Sequence, residues 1–155
     1  MPDDVVHLRA AIDLACIARA TGNAPYGARL VADDDTVLAE SGNTVSTSRD
    51  VTAHAEMCVL RKLPTDVAVE RLSAATLYAS AEPCAMCAAA IAWSGVGRVV
   101  YAVESRRVRE LDGPAPTEPG VSGVELMHRT ERAIRVEGGL LAEEAERSLW
   151  PEGAR

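Results

Sequence analysis

Two short motifs in the sequence carry side chains suited to metal chemistry. The first is His54-Ala55-Glu56, and the second is Pro83-Cys84-Ala85-Met86-Cys87. Given the residue counts of this chain, both motifs would occur together by chance on the order of once in a thousand sequences. The combination is therefore a strong signal, although an H-x-E triplet by itself carries little information.

The residue types in these motifs predict a catalytic zinc site. One imidazole nitrogen from His54 and two thiolates from Cys84 and Cys87 make three protein ligands, which leaves the fourth tetrahedral position for water. The two cysteines lie three residues apart at the predicted start of a helix, so their side chains face the same way. The positive end of that helix favours the thiolate form of both.

Glu56 is the candidate proton carrier of this site. It lies two residues after His54, roughly 200° around a helix, so the two side chains can serve one site only where the helix begins. We therefore predict that a helix begins near Thr52. Glu56 would then take a proton from the zinc-bound water, whose pKa falls to about 7, and pass it to a ring nitrogen and to a leaving amine.

The same residues allow other interpretations. Cys84 and Cys87 could form a redox-active thiol pair, and a zinc ion with a fourth protein ligand would be structural. Cys58, four residues after His54, could reach the same metal, but a small buried side chain is the commoner role of such a cysteine. Cys16 fits the buried face of the first predicted helix.

The hydrophobic pattern places the motifs in a chain where helices and strands alternate. It predicts helices over 4–20, 53–62, 84–94, 124–130 and 139–149, and strands over 27–33, 36–41, 75–80, 97–103 and 133–137. Residues 104–123 are predicted to form a long variable loop. The last two strands are separated by about thirty residues, which allows a parallel crossover. The expected fold class is α/β, a mixed sheet with helices on both faces.

Composition limits the function further. The chain has 155 residues, 48% hydrophobic and 25% charged, which fits one domain over 1–155, with a core over 5–103 and a C-terminal strand and helix over 133–150. Its net charge of −7 argues against an extended nucleic-acid surface. The sequence has no apolar run of about 18 residues and no signal-peptide pattern, so we expect a cytoplasmic protein that does not enter membranes.

The two motifs together resemble the signature of the cytidine-deaminase superfamily. Within it, the sequence is similar to the branch of bacterial guanine deaminases and tRNA adenosine deaminases and, more distantly, to fungal cytosine deaminase. The matching segments are 25–28, 43, 50–56, 76–78, 82–87, 90–91 and 97–101. The resemblance implies a three-layer α/β/α fold around a five-stranded mixed sheet, hydrolytic deamination with one catalytic Zn²⁺ per chain, and a homodimer.

The resemblance also implies candidate substrate-binding residues. Asn43 would hydrogen-bond the base or sugar, and the backbone of Ala55 would read the edge of the base. Trp93 stands where guanine deaminases also carry Trp and would be a pocket wall or a core residue. Asp112 is a candidate reader of a guanine-like amidine, in a segment that departs from the guanine deaminase pattern. Trp150 would either anchor the last helix or cover an active site, its own or a neighbour's.

The expected substrate is a small molecule, an aminated nucleobase or nucleoside. A guanine-like base or a related aminated heterocycle comes first, and a cytosine or cytidine-type substrate comes second. Adenosine in tRNA comes third, because the acidic chain disfavours nucleic acid. A zinc-stabilised binding module is the alternative without catalysis.

Overall fold

A computed structural model describes residues 2–113 and 119–151 of the chain. The helices are α1 Asp4–Ala20, α2 Val45–Ser48, α3 Ala55–Arg61, α4 Val69–Ala74, α5 Ala85–Ser94, α6 Ser105–Asp112, α7 Gly123–His128 and α8 Ala142–Leu149. The strands are β1 Gly27–Val31, β2 Val37–Gly42, β3 Thr76–Ala81, β4 Arg98–Val103 and β5 Arg135–Gly138. Within the described ranges, every helix is too short or too polar to cross a membrane.

The strands form one mixed sheet in the order β2-β1-β3-β4-β5. Strand β1 is antiparallel to both β2 and β3, whereas β3, β4 and β5 run parallel to one another. The predicted α/β class and the five-stranded mixed sheet are confirmed, and the last two strands are joined by the parallel crossover that their spacing allows.

Helices cover both faces of the sheet because the side chains of each strand alternate between them. On β3, Tyr78 packs in a cluster with Leu8 of α1 and Leu149 of α8. Its neighbour Leu77 packs instead in a cluster with Ile91 of α5, together with residues of α3 and α7. The result is the three-layer α/β/α arrangement that the sequence predicts.

One edge of the sheet collects the chain segments that carry the motifs. The carboxyl ends of the parallel strands β3 and β4 lie at the same edge, so the starts of α5 and α6 meet there. Strand β1 runs the other way and begins at this edge, where Gly27 N donates a hydrogen bond to Ser80 Oγ at 3.0 Å. Ligand sites of open α/β sheets form in such positions.

The structure corrects several boundaries. The predicted variable loop over 104–123 contains a helix, α6, and its residues 114–118 lie outside the described ranges. The sequence pattern misses α6 because the helix is short and highly charged and has no fully buried residue. Helices α2 and α4 are also missed. Helix α3 begins at Ala55 rather than near Thr52, because Thr52 N donates to Asp50 Oδ1 at 2.8 Å in a turn.

Candidate active site

The starts of α3 and α5 bring the predicted metal ligands together. His54 is the N-cap residue of α3, Cys84 is the N-cap residue of α5, and Cys87 lies in the first turn of α5. His54 Nδ1 lies 3.5 Å from Cys84 Sγ and 3.7 Å from Cys87 Sγ. Two segments thirty residues apart in the sequence therefore present one nitrogen and two sulfurs to a common point.

These distances fit a tetrahedral zinc ion. Ordinary zinc–nitrogen and zinc–sulfur bond lengths put the two ligand atoms roughly 3.6 Å apart. Among the described residues, His54, Cys84 and Cys87 form the one group of three or more possible ligands whose donor atoms all lie within 4.8 Å of one another. Cys58 is outside this group, and its Sγ contacts Thr44 Oγ1 at 3.5 Å. The ligand set leaves one coordination position open, as in catalytic zinc sites.

The two thiols have opposite tendencies to ionise. Hydrogen bonds with Cys87 and His54 lower the pKa of the Cys84 thiol to about 4. The hydrogen bond with Cys84, together with burial, raises the pKa of the Cys87 thiol. One thiolate is thus favoured by the protein itself, and a bound divalent cation would supply the positive charge that stabilises the second one.

Glu56 lies directly beside the predicted metal ligands. Its side chain is buried, and Cys87 Sγ donates to Glu56 Oε2 at 3.4 Å. Burial raises the pKa of this carboxyl, so it holds a proton more readily than an exposed glutamate does. The position in the first turn of α3 explains how Glu56 and His54 serve one site despite their spacing.

A cavity of about 520 Å³ opens onto His54, Glu56 and Cys84. Its volume is within the usual range for small-molecule sites. The other residues that line it are Tyr26, Val51, Ala81, Glu82, Met86, Ser105, Val108, Arg109, Asp112, Gly113 and Pro119. Helix α6, which the sequence pattern misses, therefore supplies much of the wall that faces the metal ligands.

Asp112 lies on this wall, as its predicted role requires. Its Oδ2 accepts a hydrogen bond from Tyr26 Oη at 3.2 Å, and its Oδ1 accepts one from Trp150 Nε1 at 2.5 Å. Trp150 does not line the cavity itself but packs edge-on against the Tyr26 ring, with 6.2 Å between the ring centroids. Trp150 therefore combines features of both alternatives predicted from the sequence. It directly follows the last helix, and its side chain contacts two residues that line the cavity of its own chain.

Asn43 and Ala55 are both buried, and the segments that carry them are joined by a hydrogen bond from Thr44 N to Ala53 O at 3.0 Å. Asn43 Oδ1 accepts a hydrogen bond from Val45 N at 3.0 Å, which leaves the amide nitrogen as the donor end of the side chain. Ala55 is the first residue of α3, so its N–H has no partner within the helix. Neither residue is part of the cavity wall, so their contact with substrate stays a prediction.

Trp93 is not where the sequence suggests. Its side chain is 92% exposed, and it belongs neither to the core nor to the residues that line the cavity. Helix α5 buries the opposite face, including Cys87 and Ile91, and Trp93 is two positions beyond Ile91, roughly 200° around the helix. We therefore remove Trp93 from the pocket wall of its own chain.

Two residues of the site are missed as functional candidates by the sequence. Tyr26 lines the cavity and contacts Asp112, and Glu82 joins two helix starts beside the metal ligands. Glu82 Oε2 accepts from Ser105 N of α6 at 3.0 Å, and its Oε1 accepts from Val124 N of α7 at 3.5 Å. Both residues fall in segments that carry the family resemblance, which is the one signal that marks them.

Comparison with known proteins identifies the family. Residues 1–103 match the model of the cytidine and deoxycytidylate deaminase zinc-binding region. The chain belongs to this family. The match contains both motifs and all three predicted metal ligands, so the chain is a zinc-dependent deaminase of the cytidine deaminase superfamily.

Relatives of this deaminase differ in their substrates. A probable cytosine deaminase from Schizosaccharomyces pombe is 32% identical over 158 residues, covering 97% of this chain and 94% of the relative. A tRNA-specific adenosine deaminase from Haemophilus influenzae is 34% identical over 146 residues, covering 92% of this chain and 78% of the relative. Similar identities to two substrate classes leave the substrate open.

Solved structures share the whole fold of the deaminase. Guanine deaminase from Nitrosomonas europaea superposes with a TM-score of 0.75 at 28% identity, covering 96% of this chain and 84% of that one. The protein NE0047 in complex with 2,6-diaminopurine superposes with a TM-score of 0.79 at 27% identity, covering 100% of this chain and 85% of that one. Small aminated bases therefore bind to proteins of this architecture.

Proposed function

We propose that this deaminase releases ammonia from a free, guanine-like nucleobase or a related aminated heterocycle. The observation that carries the proposal is the carboxylate of Asp112 on the wall of the same cavity that His54, Cys84 and Glu56 line. A carboxylate accepts hydrogen bonds from adjacent N–H groups, which guanine-like bases present along an amidine edge. The complex of NE0047 with 2,6-diaminopurine supports this substrate class.

The residues of the site have distinct roles in the proposed reaction. His54, Cys84 and Cys87 would hold zinc, which when bound lowers the pKa of water to about 7 and so supplies a nucleophile at neutral pH. Glu56 carries protons between water, a ring nitrogen and the departing amine. The net reaction consumes one water, replaces the C–NH₂ group by a carbonyl and releases ammonia.

Asn43 and Ala55 orient the ring in this proposal. The amide nitrogen of Asn43 and the N–H of Ala55 are donors that suit acceptor atoms on the base. Tyr26 holds the Asp112 carboxylate on the cavity wall. Fixed donors and a fixed carboxylate around a flat ring would specify one orientation of the carbon under attack.

A cytosine or cytidine-type substrate is the second candidate. It is favoured by the similarity to the S. pombe probable cytosine deaminase, which extends over 97% of this chain. Adenosine in tRNA ranks third because the net charge of −7 gives little attraction to a phosphate backbone.

A homodimer completes the proposed assembly. Trp93 is 92% exposed in a chain where aromatic residues make up only 3% of the sequence, and large exposed rings are typical anchors of protein interfaces. A second copy of the chain would remove this ring from water.

An ammonia-release assay on the zinc-loaded protein tests the proposed function. The panel contains guanine, 2,6-diaminopurine, isocytosine, cytosine, cytidine and adenosine at equal concentrations. We expect the highest kcat/KM for guanine or another base that presents a ring N–H beside its exocyclic amine. Preferential turnover of cytosine or cytidine would support the second candidate, and a zinc-loaded protein inactive on every compound would contradict the proposal.

A further inference from the structure

We infer that Trp150 is a positioning residue that fixes the Asp112 carboxylate for substrate binding, an inference that rests on the proposed function. The indole nitrogen of Trp150 donates to Asp112 Oδ1, and Tyr26 Oη donates to Asp112 Oδ2. The two donors hold one oxygen each, so the carboxylate cannot rotate without losing both bonds.

The same arrangement leaves acceptor capacity for a substrate. Each carboxylate oxygen offers about two lone-pair sites, so one site on each oxygen of Asp112 stays available after Tyr26 and Trp150 have bound. Asp112 lines the cavity, whereas Trp150 does not. The free sites suit a pair of adjacent N–H donors, such as a ring N–H next to an exocyclic amine.

Helix α6 needs an external anchor because it contributes no buried residue of its own. Besides Asp112, Arg107 links it to the rest of the fold through an ion pair with Glu146 of α8 at 2.8 Å, and the partly buried Val108 packs against the cluster that contains Leu149. Asp112 and Arg107 thus both attach α6 to the C-terminal segment. The position of this cavity wall therefore depends on α8 and the residue that follows it.

The C-terminal segment is a firm anchor because it is packed onto α1. Leu149 is 1% exposed and lies in the cluster that α1 forms with the sheet. Arg19 of α1 donates to the carbonyl oxygen of Leu149 at 3.0 Å, and Arg9 pairs with Glu144 at 2.7 Å. Trp150 comes directly after Leu149, so its backbone is held in place, and its indole N–H in turn fixes the Asp112 carboxylate.

A double-mutant cycle with Trp150→Phe and Asp112→Ala tests the inference. Trp150→Phe keeps an aromatic ring against Tyr26 but removes the N–H donor. We expect it to raise KM for the best base of the panel about ten-fold, with kcat changed less than about two-fold, since a hydrogen bond to a charged group is lost. In the Asp112→Ala background, which has no acceptor for the indole N–H, the same substitution should leave KM unchanged.

The controls separate positioning from a structural role. Arg147→Gln alters an exposed residue of α8 that pairs with Glu143 at 3.6 Å, and it should leave KM and kcat as in the wild type. Equal losses from Trp150→Phe in both backgrounds, or a KM that does not change, would overturn the inference. If the wild type releases no ammonia from any base, the proposed function itself fails, which is a distinct result.

Discussion

Cys87 Sγ and Glu56 Oε2 are 3.4 Å apart, so the proposed proton carrier touches one of the sulfurs that would bind zinc. The two residues are 31 positions apart and belong to different helices, α5 and α3. Glu56 is only 7% exposed, and its burial raises the pKa of the carboxyl. A buried carboxyl beside the metal ligands can exchange protons with a substrate while bulk water is held away.

Glu56→Gln is expected to abolish turnover and retain the metal. The amide has the same shape as the carboxyl but cannot carry a proton, so kcat should fall by about 1,000-fold. Zinc content should stay at one ion per chain, because the three ligands are intact. Ammonia release and elemental analysis on the same sample provide the two measurements, and substantial remaining turnover would remove Glu56 from the mechanism.

Cys84→Ser is expected to remove both zinc and activity. Cys84 is the thiol that ionises most readily, with a pKa lowered to about 4 by its hydrogen bonds to Cys87 and His54. A serine hydroxyl stays protonated at neutral pH and is a poor zinc ligand by comparison.

Cys58→Ser is the matched control for this cysteine substitution. Cys58 lies in the same helix as Glu56 but belongs outside the ligand group, with its Sγ against Thr44 Oγ1. This variant should keep its zinc and most of its activity. If Cys84→Ser and Cys58→Ser lost the same amount of zinc, the result would contradict the assignment of His54, Cys84 and Cys87 as the zinc ligands.

Asp112→Asn is expected to weaken substrate binding more than chemistry. The amide nitrogen would point a donor at the N–H groups of the base, so KM should rise about 10- to 100-fold while kcat changes less. Glu110→Gln is the control, because Glu110 is on the same helix and pairs with Arg107 but does not line the cavity. Steady-state kinetics on guanine and on cytosine would show whether Asp112 reads the base, and an unchanged KM would exclude it from the contact.

Arg98→Ala is expected to destabilise the fold on the side of the sheet that α1 covers. The guanidinium of Arg98 binds both oxygens of Asp4 at 2.7 Å and also pairs with Glu137 at 3.0 Å. Loss of these bonds should lower the free energy of unfolding by about 1–3 kcal/mol, measured by urea denaturation at pH 7.

The pH dependence of that stability follows from the same contacts. Hydrogen bonds from Arg98 hold the pKa of Asp4 and of Glu137 below their ordinary values. The contribution of the two carboxylates to the free energy of unfolding is fully present above about pH 5. It is lost as the pH falls through their lowered pKa values in the folded state. The difference in the free energy of unfolding between wild type and Arg98→Ala should therefore become smaller as the pH drops below about 4. A difference in this free energy that stays constant with pH would contradict this account.

Trp93→Ser is expected to dissociate the proposed homodimer. The indole is 92% exposed on one chain, so its removal costs little within a monomer but deletes an interface anchor. Sedimentation should shift from the mass of two chains to that of one. Val69→Ser, at a residue 65% exposed on α4, is the control and should leave the mass unchanged.

The sequence by itself determined the chemistry of this protein. The spacing of His54, Cys84 and Cys87 specified a zinc ligand set, and the hydrophobic pattern specified the alternating helices and strands around it. Such features are local, because ligand type, helix starts and strand periodicity depend on a few neighbouring residues. For the same reason, the sequence could also place Glu56 beside His54 at a helix start.

Only the tertiary structure decided what surrounds that chemistry. Helix α6 forms part of the wall of the cavity, Trp150 reaches Asp112 across 38 positions, and Trp93 points away from the site. None of these three features can be predicted from the local sequence pattern. A short charged helix has no strong hydrophobic periodicity, and a contact between residues distant in sequence depends on how the layers of the fold pack. The contacts that we propose to select one base over another lie in this part of the molecule.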